Sequence, residues 1–249
     1  MIFAPGRKDR PGAWLPEIEP PTEDELERCP FCAGREDRTP PETLRIGDPW
    51  RVRVVPNLYP AFQRQEVVVH TPDHVRSFAA LDDAQVEAVA EAWERRMNDE
   101  GGTAFALINE GRVAGASLPH SHSQLVWTEL PVEGVDRILE LLEPYEIRRR
   151  GDVVASAHPY GAGPYECLIG PLHGDGELAD GLILVRDLVR RLQRAEGVRP
   201  WNAWLHRGPP WHIHFVPRLT ALAGIELGAG VHLNVVPPDR AAELLRRSG

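Results

Sequence analysis

The sequence has little cysteine, no long apolar run and no excess of basic residues. Only 3 of its 249 residues are cysteine, and residues 1–14 lack the long apolar core of a secretory signal, so we expect a cytoplasmic protein. No stretch approaches the about 18 apolar residues that indicate a membrane-spanning helix, and we expect no membrane partner. A net charge of −9 disfavours nonspecific binding to nucleic acid, which depends on basic surface.

The remaining composition is typical of a globular chain with many turns. The hydrophobic content is 42%, which is enough for a proper core. The 24 prolines and 22 glycines are scattered through apolar segments and do not form a low-complexity tail. The length allows one large domain or two small ones.

One segment concentrates residues that carry chemistry: residues 109–127, which read NEGRVAGASLPHSHSQLVW. If Ser121 to Trp127 is a strand, its side chains alternate between two faces. His120, His122 and Gln124 then lie on the same face. An HxH pattern alone is equally consistent with a surface strand that happens to carry two histidines.

The residues before these histidines favour a functional site. Gly111 and Gly115 permit tight backbone turns, and Ser117 adds a hydroxyl and an amide beside them. Backbone amides in such turns bind anions well. A histidine next to an anion-binding turn indicates chemistry at phosphorus.

The pattern N-x-G-x-x-x-G-x-S-x-x-H-x-H-x-Q resembles the galactose-1-phosphate uridylyltransferase family, a branch of the histidine-triad superfamily. The resemblance implies that His122 is a covalent nucleophile with Gln124 as its catalytic partner, and that Asn109, Gly115 and Ser117 bind substrate. It also implies an α+β fold, in which duplicated histidine-triad-like halves form one mainly antiparallel sheet flanked by helices. We place the halves at residues 1–132 and 133–249.

Three further segments match substrate-binding parts of this family. Arg7 and Arg10 fall in a string A-P-x-R-x-x-R-P, and guanidinium groups suit phosphate oxygens. Asn57 and Tyr59 match a loop that packs on the nucleoside, although a plain proline-bracketed turn is the alternative. Glu226 lies in a segment that resembles the family's C-terminal substrate segment; the nearby His232 departs from the glutamine of longer members.

Cys29 and Cys32 form a C-x-x-C motif, which in a cytosolic protein is either a metal knuckle or a redox pair. Its proline- and glycine-rich loop follows an acidic, helical stretch, which favours metal. One knuckle supplies two of the four ligands of a structural zinc. The resemblance supplies the other two, His74 and His120. The isolated Cys167 is interpreted as an ordinary buried residue.

The periodicity of the chain predicts a second half that repeats the first. It predicts helices at 81–98, 135–142, 182–192 and 238–247, and strands at 51–55, 66–70, 105–109, 152–157, 166–169, 202–206 and 212–216. His206, His212 and His214 match three ligands of a second metal site that some family members carry. The fourth ligand, a carboxylate, cannot be aligned here, and a structural histidine cluster is the alternative.

The resemblance implies a nucleotidyltransferase of galactose metabolism, which moves UMP from UDP-glucose to galactose 1-phosphate through a nucleotidyl-histidine. It also implies a homodimer whose active site the partner chain completes. Gln124 favours transfer between phosphates over hydrolysis, because hydrolases of the superfamily usually have a third histidine there. An ADP-sugar phosphorylase or a dinucleoside polyphosphate phosphorylase shares HxHxQ. A zinc-stabilised nucleotide-binding protein without catalysis is a third possibility, against which the intact His122 and Gln124 argue.

Overall fold

The structure is a computed structural model that describes residues 1–10, 13–99, 104–128, 138–173, 176–208 and 210–249. Its strands are β1 (Ile2–Phe3), β2 (Leu44–Ile46), β3 (Val52–Pro56), β4 (Arg64–Val69), β5 (Ala104–Glu110), β6 (His122–Trp127), β7 (Glu146–Arg150), β8 (Val153–Ala157), β9 (Cys167–Pro171), β10 (Trp201–His206), β11 (His212–Pro217) and β12 (Leu233–Asn234). Its helices are α1 (Glu25–Arg28), α2 (Asp83–Met97), α3 (Ile138–Leu142), α4 (Leu178–Glu196), α5 (Gly224–Ala229) and α6 (Pro238–Arg247).

Ten strands form one sheet in the order β2-β3-β4-β6-β5-β10-β11-β9-β8-β7, and each neighbouring pair is antiparallel. Counted inward from its own edge of the sheet, each half has its first, second, third, fifth and fourth strand in that order. The two halves join at the centre, where β5 pairs with β10. The predicted fold of duplicated halves that share one antiparallel sheet is therefore confirmed. The boundary that we place between residues 132 and 133 lies outside the described residues, as does the predicted helical start at residue 135.

Two long helices, α2 and α4, pack together and cover one face of this sheet. The Asp82 side chain accepts a hydrogen bond from the amide of Gln85 at 2.7 Å, which caps α2 and explains why it begins at Asp83. The helix α4 is longer than the predicted helix 182–192, because it begins at Leu178 and includes Gly181. A Cβ at Gly181 would lie only 2.7 Å from Trp211 Cη2, so the glycine permits close packing and does not end the helix.

Alternation along the central strands separates a core face from an open face. On β5, Ala104, Ala106 and Ile108 are buried against the helices. Asn109 therefore points to the opposite face. In the β5–β6 register Leu107 pairs with Gln124, so Gln124 also lies on the open face. The β10–β11 pairing places His206 opposite His212.

The remaining short elements lie outside the ten-stranded sheet. The segment 217–236 contains α5 and β12, and β12 pairs in parallel with β1. The predicted acidic helix before the cysteine knuckle is the single turn α1. Among the described helices, none has the length and apolar character required to cross a membrane.

Candidate active site and metal centre

His122 is the first residue of β6, and its side chain is buried on the open face of the sheet. Its Nδ1–H donates to the carbonyl of His120 at 2.7 Å. Because this bond assigns the proton to Nδ1, the lone pair of Nε2 is available for attack. Burial lowers the pKa of His122, partly offset by the bond to the His120 carbonyl, and favours the neutral imidazole that a nucleophile requires.

Gln124 is oriented by a chain of hydrogen bonds from a neighbouring loop. The backbone N–H of Ala61 donates to Oε1 of Gln65 at 2.8 Å, and Nε2 of Gln65 donates to Oε1 of Gln124 at 2.6 Å. A backbone N–H can only donate, so it determines the orientation of both amides. The NH₂ group of Gln124 is left to donate to a ligand. No local pattern in the sequence points to Gln65.

A third group, His70, holds β6 from the core face. Its Nδ1 lies 2.9 Å from Oγ of Ser121, and its Nε2 lies 2.9 Å from Oγ of Ser123. Trp93 of α2 donates from Nε1 to the same Ser123 hydroxyl at 2.8 Å. The two serines that flank His122 are thus bonded on the side of the strand opposite its imidazole.

The predicted anion-binding turn lies beside His122, but some of its backbone amides form hydrogen bonds within the turn itself. The amides of Ala114 and Ala116 both donate to the carbonyl of Gly111, at 3.0 and 3.2 Å. Gly111 and Gly115 have φ of +89° and +95°, a region that glycine adopts readily. Ser117, which is predicted to bind substrate, is exposed beside this turn.

Two cavities adjoin this turn. A small one of about 10 Å³ is lined by His122, Asn109 and Gly111, among others. A larger one of about 380 Å³ is lined by Ser117, Leu118, Arg76 and the buried carboxylate of Glu110, among others. The predicted nucleophile His122 and the predicted substrate-binding residues Asn109 and Ser117 thus occupy one region of the open face.

The four predicted zinc ligands converge. Their ligand atoms, from Cys29, Cys32, His74 and His120, all lie within 4.8 Å of one another. Cys29 Sγ is 3.3 Å from His120 Nδ1, and Cys32 Sγ is 3.4 Å from His74 Nδ1 and 3.8 Å from His120 Nδ1. Ligands on a tetrahedral zinc with bonds of about 2.0–2.3 Å stand about 3.3–3.8 Å apart. The spacing therefore fits the metal.

The surroundings of these side chains also suit a metal centre. Both histidines direct Nδ1 into the cluster, because their other nitrogens are held from outside. His120 Nε2 donates to the carbonyl of Thr71 at 3.0 Å, and His74 Nε2 lies 2.9 Å from a carboxylate oxygen of Glu25. Burial and the neighbouring Cys29 raise the pKa of the Cys32 thiol to about 11, so a cation is needed to favour its thiolate.

The second histidine cluster lies on the same open face in the other half. The rings of His206 and His212 stack with centroids 4.6 Å apart, and those of His206 and His214 are 5.1 Å apart. Among the residues that the structure describes, buried ring nitrogens of all three have no hydrogen-bond partner: Nδ1 of His206 and His214, and both nitrogens of His212. Such orphaned nitrogens fit a metal-binding cluster better than a purely structural one.

A carboxylate that no local sequence pattern indicates adjoins this cluster. Glu166 Oε1 lies 3.8 Å from His214 Nδ1, and the ring of His158 lies 5.9 Å from that of His214. His158, Glu166 and His214 also form a group whose ligand atoms lie within 4.8 Å of one another. The turn between β8 and β9 provides this carboxylate, which the spacing of the histidines alone does not indicate.

The other predicted substrate residues lie on exposed segments. Asn57 Oδ1 accepts from the amide of Tyr59 at 2.9 Å, and 86% of Tyr59 is exposed. Arg7 and Arg10 are exposed beside β1. The amide of Ala223 lowers the pKa of Glu226, and the charge of Arg7 contributes to the same shift.

In comparison with known proteins, residues 59–131 match the family model described as galactose-1-phosphate uridyl transferase, N-terminal domain. An ADP-glucose phosphorylase from Arabidopsis thaliana is 25% identical over 312 aligned positions, which cover 99% of this chain and 89% of the relative. A galactose-1-phosphate uridylyltransferase from Streptomyces lividans is 27% identical over 289 positions, covering 91% of this chain and 79% of the relative.

A solved structure shares the fold. The crystal structure of an ADP-glucose phosphorylase from Arabidopsis thaliana with bound ADP-glucose superposes with a TM-score of 0.81. The match covers 98% of this chain and 94% of that chain at 24% identity. It supports the two-half sheet described above.

Proposed function

We propose that this chain, which is similar to proteins of the galactose-1-phosphate uridylyltransferase family, transfers a nucleotidyl group from a nucleotide sugar to a phosphate acceptor through His122. Relatives named as uridylyltransferases and as an ADP-glucose phosphorylase support nucleotidyl transfer on sugar phosphates. The observation that carries the proposal is the bond from His122 Nδ1 to the His120 carbonyl, which leaves Nε2 as the nucleophile.

The reaction has two steps. Nε2 of His122 attacks the α-phosphorus, the bond to the bridging oxygen breaks, and its electron pair leaves with the sugar 1-phosphate. A phosphate oxygen of the acceptor then attacks the same phosphorus, the P–N bond breaks and the neutral imidazole is restored. A phosphate leaving group needs no proton. Gln124 Nε2 and the Asn109 amide would donate to the non-bridging oxygens as charge develops.

Zinc would be held by Cys29, Cys32, His74 and His120 and would stabilise the fold next to the catalytic strand. His120 links the two centres, because its ring belongs to the cluster and its carbonyl holds His122. A second metal would be held by His206, His212 and His214, with Glu166 as the nearby carboxylate.

The nucleotide sugar and its acceptor are the finer part of the proposal. The family name favours UMP transfer from UDP-glucose to galactose 1-phosphate. A second candidate is phosphorolysis of ADP-glucose by inorganic phosphate, and the match to ADP-glucose phosphorylase over 99% of the chain favours it. We also propose a homodimer in which the exposed Arg7 and Arg10 bind phosphate at a shared site.

The test is to incubate the protein separately with UDP-glucose and ADP-glucose, each labelled in the α-phosphate, and to measure protein-bound label. We expect an acid-labile adduct in the wild type and none in His122→Gly. Galactose 1-phosphate should discharge a uridylyl adduct as UDP-galactose, whereas inorganic phosphate should discharge an adenylyl adduct as ADP. A wild-type protein that binds nucleotide but forms no adduct with either donor would instead be a nucleotide-binding protein without catalysis.

A further inference from the structure

A row of polar side chains crosses the junction between the two halves on the open face. The β5–β10 register places Asn202 directly opposite Asn109. In the β5–β6 register Ile108 pairs with Ser123, so the next positions along, Asn109 and His122, are neighbours. Asn202 therefore lies two strands from the nucleophile, although it belongs to the second half of the chain.

Asn202 contacts both the anion-binding turn and Asn109. Its Nδ2 donates to the carbonyl of Ala114 at 2.7 Å and to Oδ1 of Asn109 at 2.7 Å. Its Oδ1 accepts from Nη1 of Arg218 at 3.3 Å. One amide thus links β10, the end of β11, the turn and the substrate-binding asparagine.

The orientations of the Asn202 and Asn109 side-chain amides follow from neighbouring groups that can only donate or only accept a hydrogen bond. The Ala114 carbonyl can only accept and the Arg218 guanidinium can only donate, so both determine that Nδ2 of Asn202 faces the turn. The second proton of this NH₂ group then requires an acceptor, which is Oδ1 of Asn109. The NH₂ group of Asn109 must point away, and among the described residues it has no hydrogen-bond partner.

The free NH₂ group of Asn109 lies over the turn. Its Nδ2 is 3.6 Å from the position that a Cβ on Gly115 would occupy. Asn109 and His122 also line the same small cavity. A phosphate that approaches His122 would therefore meet a donor at Asn109, whereas the opposite orientation of the amide would present an oxygen to it.

We propose that Asn202 is a positioning residue of the nucleotidyl-transfer site, contributed by the second half. It directs the Asn109 amide toward the phosphate and holds the turn that carries Ser117. The inference rests on the proposed function, because it names how one of that site's donors is oriented. It also gives the half without HxHxQ a role in the chemistry of the other.

The decisive variant is Asn202→Asp, which keeps the volume of the side chain and its pairing with Arg218. A carboxylate can only accept, so the Asn109 amide should reverse and turn Oδ1 toward the phosphate. Asn202→Ala removes the bonds without forcing this reversal. A purely space-filling role predicts that Ala is the more harmful change, whereas an orienting role predicts that Asp is.

The control is Asn98→Asp, since Asn98 Oδ1 also accepts from an arginine, Nη2 of Arg207 at 3.0 Å. Calorimetry should measure the affinity for AMP and for UMP. We expect about 3- to 10-fold weaker binding in Asn202→Ala, about 10- to 100-fold weaker binding in Asn202→Asp, and no change in Asn98→Asp. Equal affinity in wild type and Asn202→Asp would overturn the inference.

A second readout needs no substrate. The NMR signal of the Asn109 side-chain amide can be located by its loss in Asn109→Asp. In Asn202→Asp this amide should shift and exchange its protons more slowly, because one of them now bonds to the carboxylate. An unchanged signal in the folded variant would overturn the inference, even if no nucleotide adduct forms on His122 and the proposed function fails.

Discussion

Gln65 donates its side-chain amide to Oε1 of Gln124 at 2.6 Å, across the pairing of β4 and β6. Gln65 itself is oriented by the amide of Ala61, in the loop that contains the exposed Tyr59. The loop that we expect to contact the nucleoside is therefore bonded, through one side chain, to the glutamine that we expect to assist transfer.

This relationship predicts that Gln65→Leu lowers kcat more than it raises KM. Without its donor the Gln124 amide can rotate, so fewer molecules present Nε2 to the phosphate. We expect kcat to fall about 3- to 10-fold, the size of one modest hydrogen bond. Gln193→Leu, a similar change in α4, is the control. The double variant Gln65→Leu/Gln124→Ala should be no slower than Gln124→Ala alone. If the two losses of kcat add, Gln65 does not act through Gln124.

His122→Gly and His120→Gly should differ in stability. Both should lose transfer activity, but only His120 is a predicted zinc ligand. We expect His122→Gly to keep its fold and to leave a cavity in which a nucleotidyl-imidazole can donate its nucleotide. His120→Gly should lose about 2–4 kcal/mol of unfolding free energy and its zinc. Transfer rate, melting temperature and metal content measure these effects, and substantial turnover by His122→Gly would exclude it as the nucleophile.

Removal of zinc should destabilise the wild type. A metal that binds only the native state adds to the free energy of unfolding, so a strong chelator should lower the melting temperature. Cys29→Ser should start from a lower melting temperature and respond less to the chelator. Cys167→Ser tests another buried cysteine outside the cluster and should keep its zinc. A metal-free wild type that is fully active and equally stable would contradict the assignment.

Local patterns in the sequence predict much of this fold. Alternation identifies β5 and β6, and a 3.6-residue period identifies α2, because each element buries one face whatever its partner is. The C-x-x-C and HxH spacings are also local. The structure brings their side chains together as expected, although zinc binding itself stays a prediction.

The residues that the sequence does not reveal act through strand register. Gln65 and Gln124 are 59 residues apart, and Asn109 and Asn202 are 93 apart. Each pair meets only because two strands align at one register, which periodicity within a strand cannot specify. Glu166 reaches His214 in the same way, through the pairing of β9 with β11.

Asp83 predicts a pH-dependent contribution to the docking of the two halves. Its carboxylate lies 2.6 Å from Nη1 of Arg186 and 3.0 Å from Nη1 of Arg150. The bond to Arg186 is the main cause that lowers the pKa of Asp83 below 3.8. The ion pairs of Asp83 therefore add to the free energy of unfolding at pH values above 3.8, the ordinary pKa. This added stability is lost as the pH falls through the lower pKa that Asp83 has in the folded protein.

Asp83→Asn should lower the free energy of unfolding at pH 7 by about 0.5–1.5 kcal/mol, a small value because the carboxylate is half exposed. Urea unfolding at several pH values measures the effect. The difference from wild type should shrink as the pH falls below 3.8. A constant difference at all pH values would assign the effect to packing. Asp37→Asn, in the helical turn Glu36–Arg38, is the control.

His212→Phe should remove a metal equivalent without unfolding the protein. A phenyl ring can keep the stacking on His206, whose centroid is 4.6 Å away. It lacks the two ring nitrogens of His212, which have no hydrogen-bond partner within the described part of the chain. Since buried polar groups without partners cost about 1–3 kcal/mol, the metal-free variant should be at least as stable as the metal-free wild type. Equilibrium dialysis with zinc should then show that His212→Phe binds one equivalent fewer than the wild type. Cys29→Ser should also bind one fewer, but at the Cys29, Cys32, His74 and His120 cluster, so the double variant should bind two fewer. Equal metal content together with a large loss of stability would make the cluster structural.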